Sequence, residues 1–411
     1  MASLIAGLRT QDAPAAQNLA LSLLLAEADS SVSNGDLLGD LLAARATALI
    51  RLGALPQAEQ LLIRAGAQHL PQIFDLWLNA ALLLGTEDKP CRHLAEQSSL
   101  SSDLVLRSFC LGRAGRWSTA ELTYQTGVAL GAISGLEAQL LAEFLDPDLA
   151  EENAQDLARR SMPTPPSPIV FRIFEALGRP LETLHLPLAY AWSDLRPEIG
   201  WQAQIRAAER LSRRAVLDPN FSLGLFTAEP PAASGGAWDR LRALQDLESA
   251  IRTGGDASQP LIIAAARYKS AGLEPAFARM IYSQIQDLTL SPKAQNTALR
   301  LAILAGELPD APAESAPIEL RLAHALAADT TLPEDLKGSF HQALARSFTA
   351  SAPAVQSRIG ESLLASLTLL APDSVADFED ISGALSLMRS AGQDSRARWI
   401  AAQLALLRPA Q

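Results

Sequence analysis

Residues 41–66 read LLAARATALIRLGALPQAEQLLIRAG. In the first half, Leu42, Ala46 and Leu49 recur at i, i+4 and i+7; in the second, Ala58, Leu61, Leu62 and Ala65 recur at i, i+3, i+4 and i+7. Such spacing puts one apolar face on each of two helices. Between them, Gly53 suits the left-handed position that often ends a helix. Pro56 suits the first turn of the next helix, where its missing N–H leaves nothing unpaired. Small residues at Ala46, Ala58 and Ala65 let the two axes approach closely. The stretch predicts a helical hairpin, and much of the chain reads as variations on it.

The pattern resembles a tetratricopeptide hairpin, with Ala46, Gly53, Ala58 and Ala65 at its small and turn positions. A second copy is centred on Gly115, with Ser108, Ala120 and Gly127 in the matching places and Tyr124 at a large one. Gly85 marks a turn between them, although Pro90 stands at the alanine position of that unit. The three glycines recur at close to the tetratricopeptide period of roughly 34 residues. Gly392 and Ala397 repeat the glycine–alanine pair far downstream. The resemblance implies an all-α fold, an α-solenoid of antiparallel hairpins that is tetratricopeptide-like in its N-terminal part.

Composition supports helix throughout. The 411 residues are rich in alanine and leucine, aromatic residues make up 5%, and β-branched runs are scarce. The formal charge of −11 argues against nucleic-acid binding, which needs a basic face, and against adhesion to an anionic membrane surface. No apolar run approaches the roughly 20 residues that span a bilayer, so no direct membrane insertion is expected. The start, MASLIAGLRTQDAPAAQ, is not a signal peptide as it stands. The two cysteines, Cys91 and Cys110, fall in adjacent predicted helices of one hairpin. They read either as a disulfide, implying an oxidising compartment such as a periplasm, or as two buried thiols of a cytoplasmic protein.

Three regions follow from the helix signals. Residues 1–160 carry one amphipathic helix from about Pro14 to Ala28, the hairpins, the helix GLEAQLLAEF, and a further helix after Asp146. Asp146 and Asp148 themselves read as a helix stop and a new N-cap. Residues 161–235 form a Pro-rich connector, opening on SMPTPPSP and holding ten of the chain's 25 prolines. Within it a helix is expected at about Glu198 to Val216. Trp201, Ile205, Ala208 and Leu211 mark its apolar face, and Arg206, Glu209, Arg210, Arg213 and Arg214 its charged one. Residues 236–411 resume helical repeats, with a loop at 308–317 and a last hairpin turning at Gly392. The helix count is roughly twenty.

The sequence offers little to catalysis. It holds no phosphate-binding glycine loop, no dinucleotide fingerprint and no nucleophile-elbow serine. His69, His93, His185, His324 and His341 are dispersed. Glu182 and His185 make a single Glu-x-x-His, whereas a di-metal bundle needs two. A zinc site at Cys91, His93 and Cys110 matches no familiar module. Glu151 with Glu152, and Asp377, Glu379 and Asp380, read as solvated faces. No metal, cofactor or catalytic residue is expected. The candidate partner-binding group is Tyr190, Trp192, Asp194, Arg196, Trp201, Trp238, Asp239 and Arg240, since Trp and Arg are enriched in binding hot spots. The alternative is that these tryptophans plug the gap where prolines interrupt the repeat.

Two further stretches are LPLAYAWSDLRPEIGWQAQIRAAERLSR from Leu186 and PPAASGGAWDRLRALQDLESAI from Pro230. With CRHL, FCLGRAGRW and FLDPDL, they resemble a group of alphaproteobacterial Ala-rich helical-repeat proteins labelled "antifreeze glycopeptide polyprotein", over about residues 20–300. That resemblance implies an exported protein; typical members begin with a longer N-terminus that carries a signal peptide. No ice binding is taken from the label. The expected function is a non-enzymatic scaffold for a protein or peptide partner in the bacterial periplasm or envelope. The alternative is a non-catalytic superhelical module associated with peptidoglycan or an envelope or motor machine.

Overall fold

The computed structural model describes residues 1–26, 35–149, 163–336, 338–349, 358–371 and 378–408. Among them the fold is all-helical, with no strand. No helix is long and apolar enough to cross a membrane. The helix expected after Asp146 falls, beyond a short turn at 147–149, on residues outside the described set, as do Glu151, Glu152 and Asp377. The chain separates into two compact units, one of residues 27–200 and one of residues 1–26 with 201–411. Sequence reading sets the boundaries at 160 and 235 instead. The contacts run differently, because residues 163–200 pack back onto the helices before them and residues 1–26 pack with the C-terminal helices.

The N-terminal pieces are α1 (Ala2–Gly7) and α2 (Pro14–Leu25). The middle unit then runs α3 (Gly35–Arg51), α4 (Leu55–Arg64), α5 (Pro71–Leu84), α6 (Asp88–Glu96), α7 (Leu104–Arg113), α8 (Trp117–Ala129), α9 (Gly135–Leu145) and α10 (Pro168–Ala176). Gly53, Gly85 and Gly115 all turn with positive φ, as their spacing predicts. Each helix packs on the next, and α10 returns to lie against α5 and α9. Phe74, Trp77, Phe109, Leu140 and Ile173 fill the shared core. Fully burying a leucine, isoleucine or phenylalanine side chain contributes roughly 1.5–3 kcal/mol. Cys91 on α6 and Cys110 on α7 form a disulfide, with Cα atoms 4.6 Å apart. The cysteines are therefore not thiolate ligands for zinc, and His93 lies half-buried with its ring 5.9 Å from Trp77.

Two buried glutamates of this unit sit in ion pairs that span elements. The fully buried Glu87 accepts from Arg172 at 2.8 Å and lies 3.4 Å from Arg113. Glu143, also fully buried, meets Arg179 at 2.5 Å. Removing one partner of such a pair strands a charge and typically costs 3–5 kcal/mol.

In the terminal unit, α11 (Trp201–Arg213), α12 (Pro219–Thr227), α13 (Ala237–Arg252), α14 (Ser258–Ser270), α15 (Glu274–Ile285) and α16 (Pro292–Ala305) pack largely in chain order. The order then changes. α17 (Ile318–Ala328) lies along α21 (Asp394–Leu407), while α18 (Ser339–Thr349) and α19 (Ile359–Leu369) flank α20 (Phe378–Ser390). α20 and α21 form the expected hairpin at Gly392. The N-terminal helices complete the unit, with α1 against α19 and α2 against α19 and α21. Buried amides fasten them: the Gln11 Nε2 donates to the Leu367 carbonyl at 3.0 Å. Gln403 accepts from the Ala15 N–H at 2.7 Å while its Nε2 donates to the Ile303 carbonyl at 3.1 Å.

Two consequences are measurable in the middle unit. A Cβ at Gly53 would lie 2.5 Å from Leu188 Cδ2, whereas one at Gly115 meets nothing within 4 Å; φ is positive at both. Gly115→Ala is expected to cost only the left-handed strain, about 1–2 kcal/mol, and Gly53→Ala clearly more, in urea unfolding of the two variants. Reduction of Cys91–Cys110, which closes a loop of sequence separation 19, should lower the unit's stability by about 3 kcal/mol, read as a fall in Tm with dithiothreitol.

Candidate functional site

The eight residues singled out as a partner-binding group divide between the two units at Gly200. Tyr190, Trp192, Asp194 and Arg196 lie on or next to a 3₁₀ segment, Leu188–Leu195, in the middle unit. There the segment acts as a clasp over the hairpin turns. The Trp192 indole N–H donates to the Gly53 carbonyl at 2.7 Å, and the Ser193 hydroxyl donates to the Leu83 carbonyl at 2.8 Å. The Tyr190 hydroxyl donates to the Pro166 carbonyl, and its ring meets Phe171 edge-on at 5.2 Å. Burial pushes the Tyr190 phenol up to about 12. Asp194 accepts from Thr183, and Arg196 pairs with Glu175 while its side chain lies over Gly85. A Cβ at Gly85 would sit 2.9 Å from Arg196 Cδ. These four side chains commit their polar atoms to the unit's own interior.

Trp201, Trp238, Asp239 and Arg240 belong to the terminal unit. The two indoles meet at 5.2 Å between ring centroids, and Trp201 donates to the Leu225 carbonyl at 3.0 Å. Arg240 grips Glu209 with two bonds of 2.7 Å. Glu209, read from the sequence as part of the charged face of α11, is thus buried by its partner from α13. Asp239 accepts from the Gly235 N–H at 3.0 Å and from Arg267 at 3.2 Å. The bond from Gly235, then the nearby Arg267 and Arg242, hold its carboxyl below the usual range. Glu182 and His185 are exposed and lie outside any helix, so that pair offers no metal geometry. Among the described residues no group of three His, Cys, Asp or Glu side chains could hold a metal.

The structure assembles a different constellation. Where the segment before α2 meets α11, α14, α15, α16 and the end of α21, a hollow of about 360 Å³ is lined by Arg213, Arg214, Lys269, Arg300 and Arg408, with Asp12 and Glu274. Glu274 fixes Arg300 through bonds of 2.6 and 2.9 Å, and Arg300 also donates to the Leu406 carbonyl at 2.5 Å. Asp12 meets Arg214 at 3.3 Å, and Arg213 donates to the Ala271 carbonyl at 3.1 Å. Lys269 and Arg408 pair with no acid of the described residues; the Arg408 guanidinium stands 5.9 Å from the Phe340 ring. Helix polarity explains part of the gathering. Arg213 and Lys269 sit in last turns, and Arg408 follows α21, where cations are favoured by the helix dipole. The result is a cationic hollow in a strongly acidic chain, suited to an anionic group.

Sequence reading noted Arg213 and Arg214 as surface charge and passed over Lys269, Arg300 and Arg408. They lie far apart in the chain, and no spacing rule links them. Comparison of the chain with protein-family models, with curated proteins and with solved structures gives no match.

Asp239 tests the electrostatics. Because its folded pKa is lowered, its stabilising contribution is present above the unfolded carboxylate range and is lost as pH falls through the lowered value. Carboxyl NMR titration should show a midpoint below that of exposed aspartates, moving upward in Arg267→Gln.

Proposed function

We propose that this chain is a non-enzymatic helical-repeat scaffold, solenoid-like and tetratricopeptide-type over α3–α8, that holds an acidic segment of a protein or peptide partner. The observation that carries the reading is the cationic hollow, with five cations against two carboxylates in a chain of net charge −11. Opposed charge draws an acidic partner in and sets its register. Supporting the repeat reading, α3–α4, α5–α6 and α7–α8 are successive hairpins turning at Gly53, Gly85 and Gly115. Such repeats bury their cores against one another and leave extended faces for recognition.

The non-enzymatic part of the reading rests on where the carboxylates go. Catalysis in the helices would call for buried acids converging in a pocket, such as Glu198 or Asp239 beside the tryptophans. Glu198 is exposed and Asp239 is engaged by Gly235 and Arg267. The buried acids Glu87, Glu143, Glu209 and Glu274 are each held by arginine. The disulfide favours an oxidising compartment, consistent with a periplasmic or exported protein.

Fluorescence anisotropy of a labelled hexaglutamate peptide tests the reading, with hexaglutamine as its neutral counterpart. Binding of hexaglutamate is expected, weakening as salt rises. It should be at least about tenfold weaker in Lys269→Glu/Arg408→Glu, whose wild-type side chains hold no acid partner. Equal binding of both peptides, or no effect of the charge reversals, would refute it. Retention on purified sacculi with no peptide binding would transfer the protein to the cell-wall reading.

A further inference from the structure

A second hollow lies in the terminal unit, among α2, α15, α16 and α21, with a volume of about 280 Å³. Its lining includes Asn18 and Ser22 of α2, Arg279 of α15, Gly306 at the end of α16, and Arg396 and Trp399 of α21. On α2, Asn18 and Ser22 stand four apart; on α21, Arg396 and Trp399 stand three apart. Each pair therefore shares one helix face. The site sits on packed helices rather than on a loop, which favours a fixed geometry.

Arg279 sets it apart. Several other partly buried arginines of this unit are held by carboxylates: Arg240 by Glu209, Arg300 by Glu274, and Arg398 by Asp394 and Asp329. No carboxylate of the described residues lies within ion-pair distance of Arg279. Burial lowers its pKa, and Asp218 opposes that only from longer range. A partly desolvated guanidinium with no carboxylate beside it gains from an arriving anion.

We infer that this hollow binds the carboxylate of a small organic acid of amino-acid or short-peptide size, with Arg279 forking the two oxygens. The planar guanidinium matches a carboxylate with two parallel bonds. Asn18 and Ser22 supply neutral donors, and the half-buried Trp399 offers a wall for the apolar remainder. A phosphate dianion is a poorer fit. Its second charge would rely on Arg396, an exposed side chain that already donates to Gln393 at 2.9 Å. The site is separate from the cation-lined hollow, and its occupancy does not depend on the scaffold reading.

Isothermal titration calorimetry on the full chain tests the inference with N-acetylphenylalanine, its primary amide, and inorganic phosphate. The acid should bind and the amide should not. Arg279→Gln should weaken the acid at least about tenfold, while Arg279→Lys, which keeps charge but loses the fork, should fall between. Trp399→Leu should weaken the acid as well. The acid–amide comparison on the unmodified protein needs no variant, so it decides even if a substitution perturbs folding. Equal binding of acid and amide, failure of the acid to bind, or phosphate binding in place of the acid would each overturn the carboxylate assignment.

Discussion

Every helix ends with carbonyls that have no donor within the helix, and a chain made almost wholly of helices must find donors for many of them. In this protein backbone N–H groups just past the helix satisfy many of them, and side chains distant in sequence satisfy others. Trp192 donates to the carbonyl of Gly53, Ser193 to that of Leu83, Trp201 to that of Leu225, Gln403 to that of Ile303, and Arg300 to that of Leu406. A buried carbonyl without a partner costs about 1–3 kcal/mol. Each of these bonds therefore joins two elements while removing such a penalty. Alanine- and leucine-rich helix faces supply area but little direction. The donors supply the direction.

The clasp at 188–196 shows this at its densest. The hairpin turns at Gly53 and Gly85 expose bare backbone, and the clasp needs that bareness: Leu188 and Arg196 occupy the space a Cβ would fill. The same segment carries Tyr190 and Trp192, whose polar tips go to backbone carbonyls. Aromatic residues with a polar handle are common at binding surfaces because they satisfy two kinds of contact at once. An intramolecular clasp exploits the same property. Tryptophan and arginine content alone therefore does not distinguish a clasp of this kind from a partner surface.

Buried charge follows a parallel rule. Arginine, with its fork of donors, is the partner of Glu87, Glu143, Glu209 and Glu274. In two of these, Arg240–Glu209 and Arg300–Glu274, both carboxylate oxygens are gripped. Lys269 and Arg408 at one hollow and Arg279 at the other have no carboxylate partner among the described residues and line a cavity.

The local elements were legible in the sequence. Apolar residues at the 3.6 period, prolines at helix starts and glycines at helix ends locate the hairpins at Gly53, Gly85, Gly115 and Gly392, because those signals act within a few residues. The tertiary structure alone decided which helices meet. Sequence periodicity cannot show that α2 packs on α21, that residues 163–200 return to α5, or that Glu209 faces Arg240, since each is a choice among many apolar faces of similar composition. The candidate hollows fall in the second class. Their cations are spread along the chain, from Arg213 to Arg408, and each alone is an ordinary helix charge. What makes them a site is proximity, which comes from packing and the long-range hydrogen bonds that orient it.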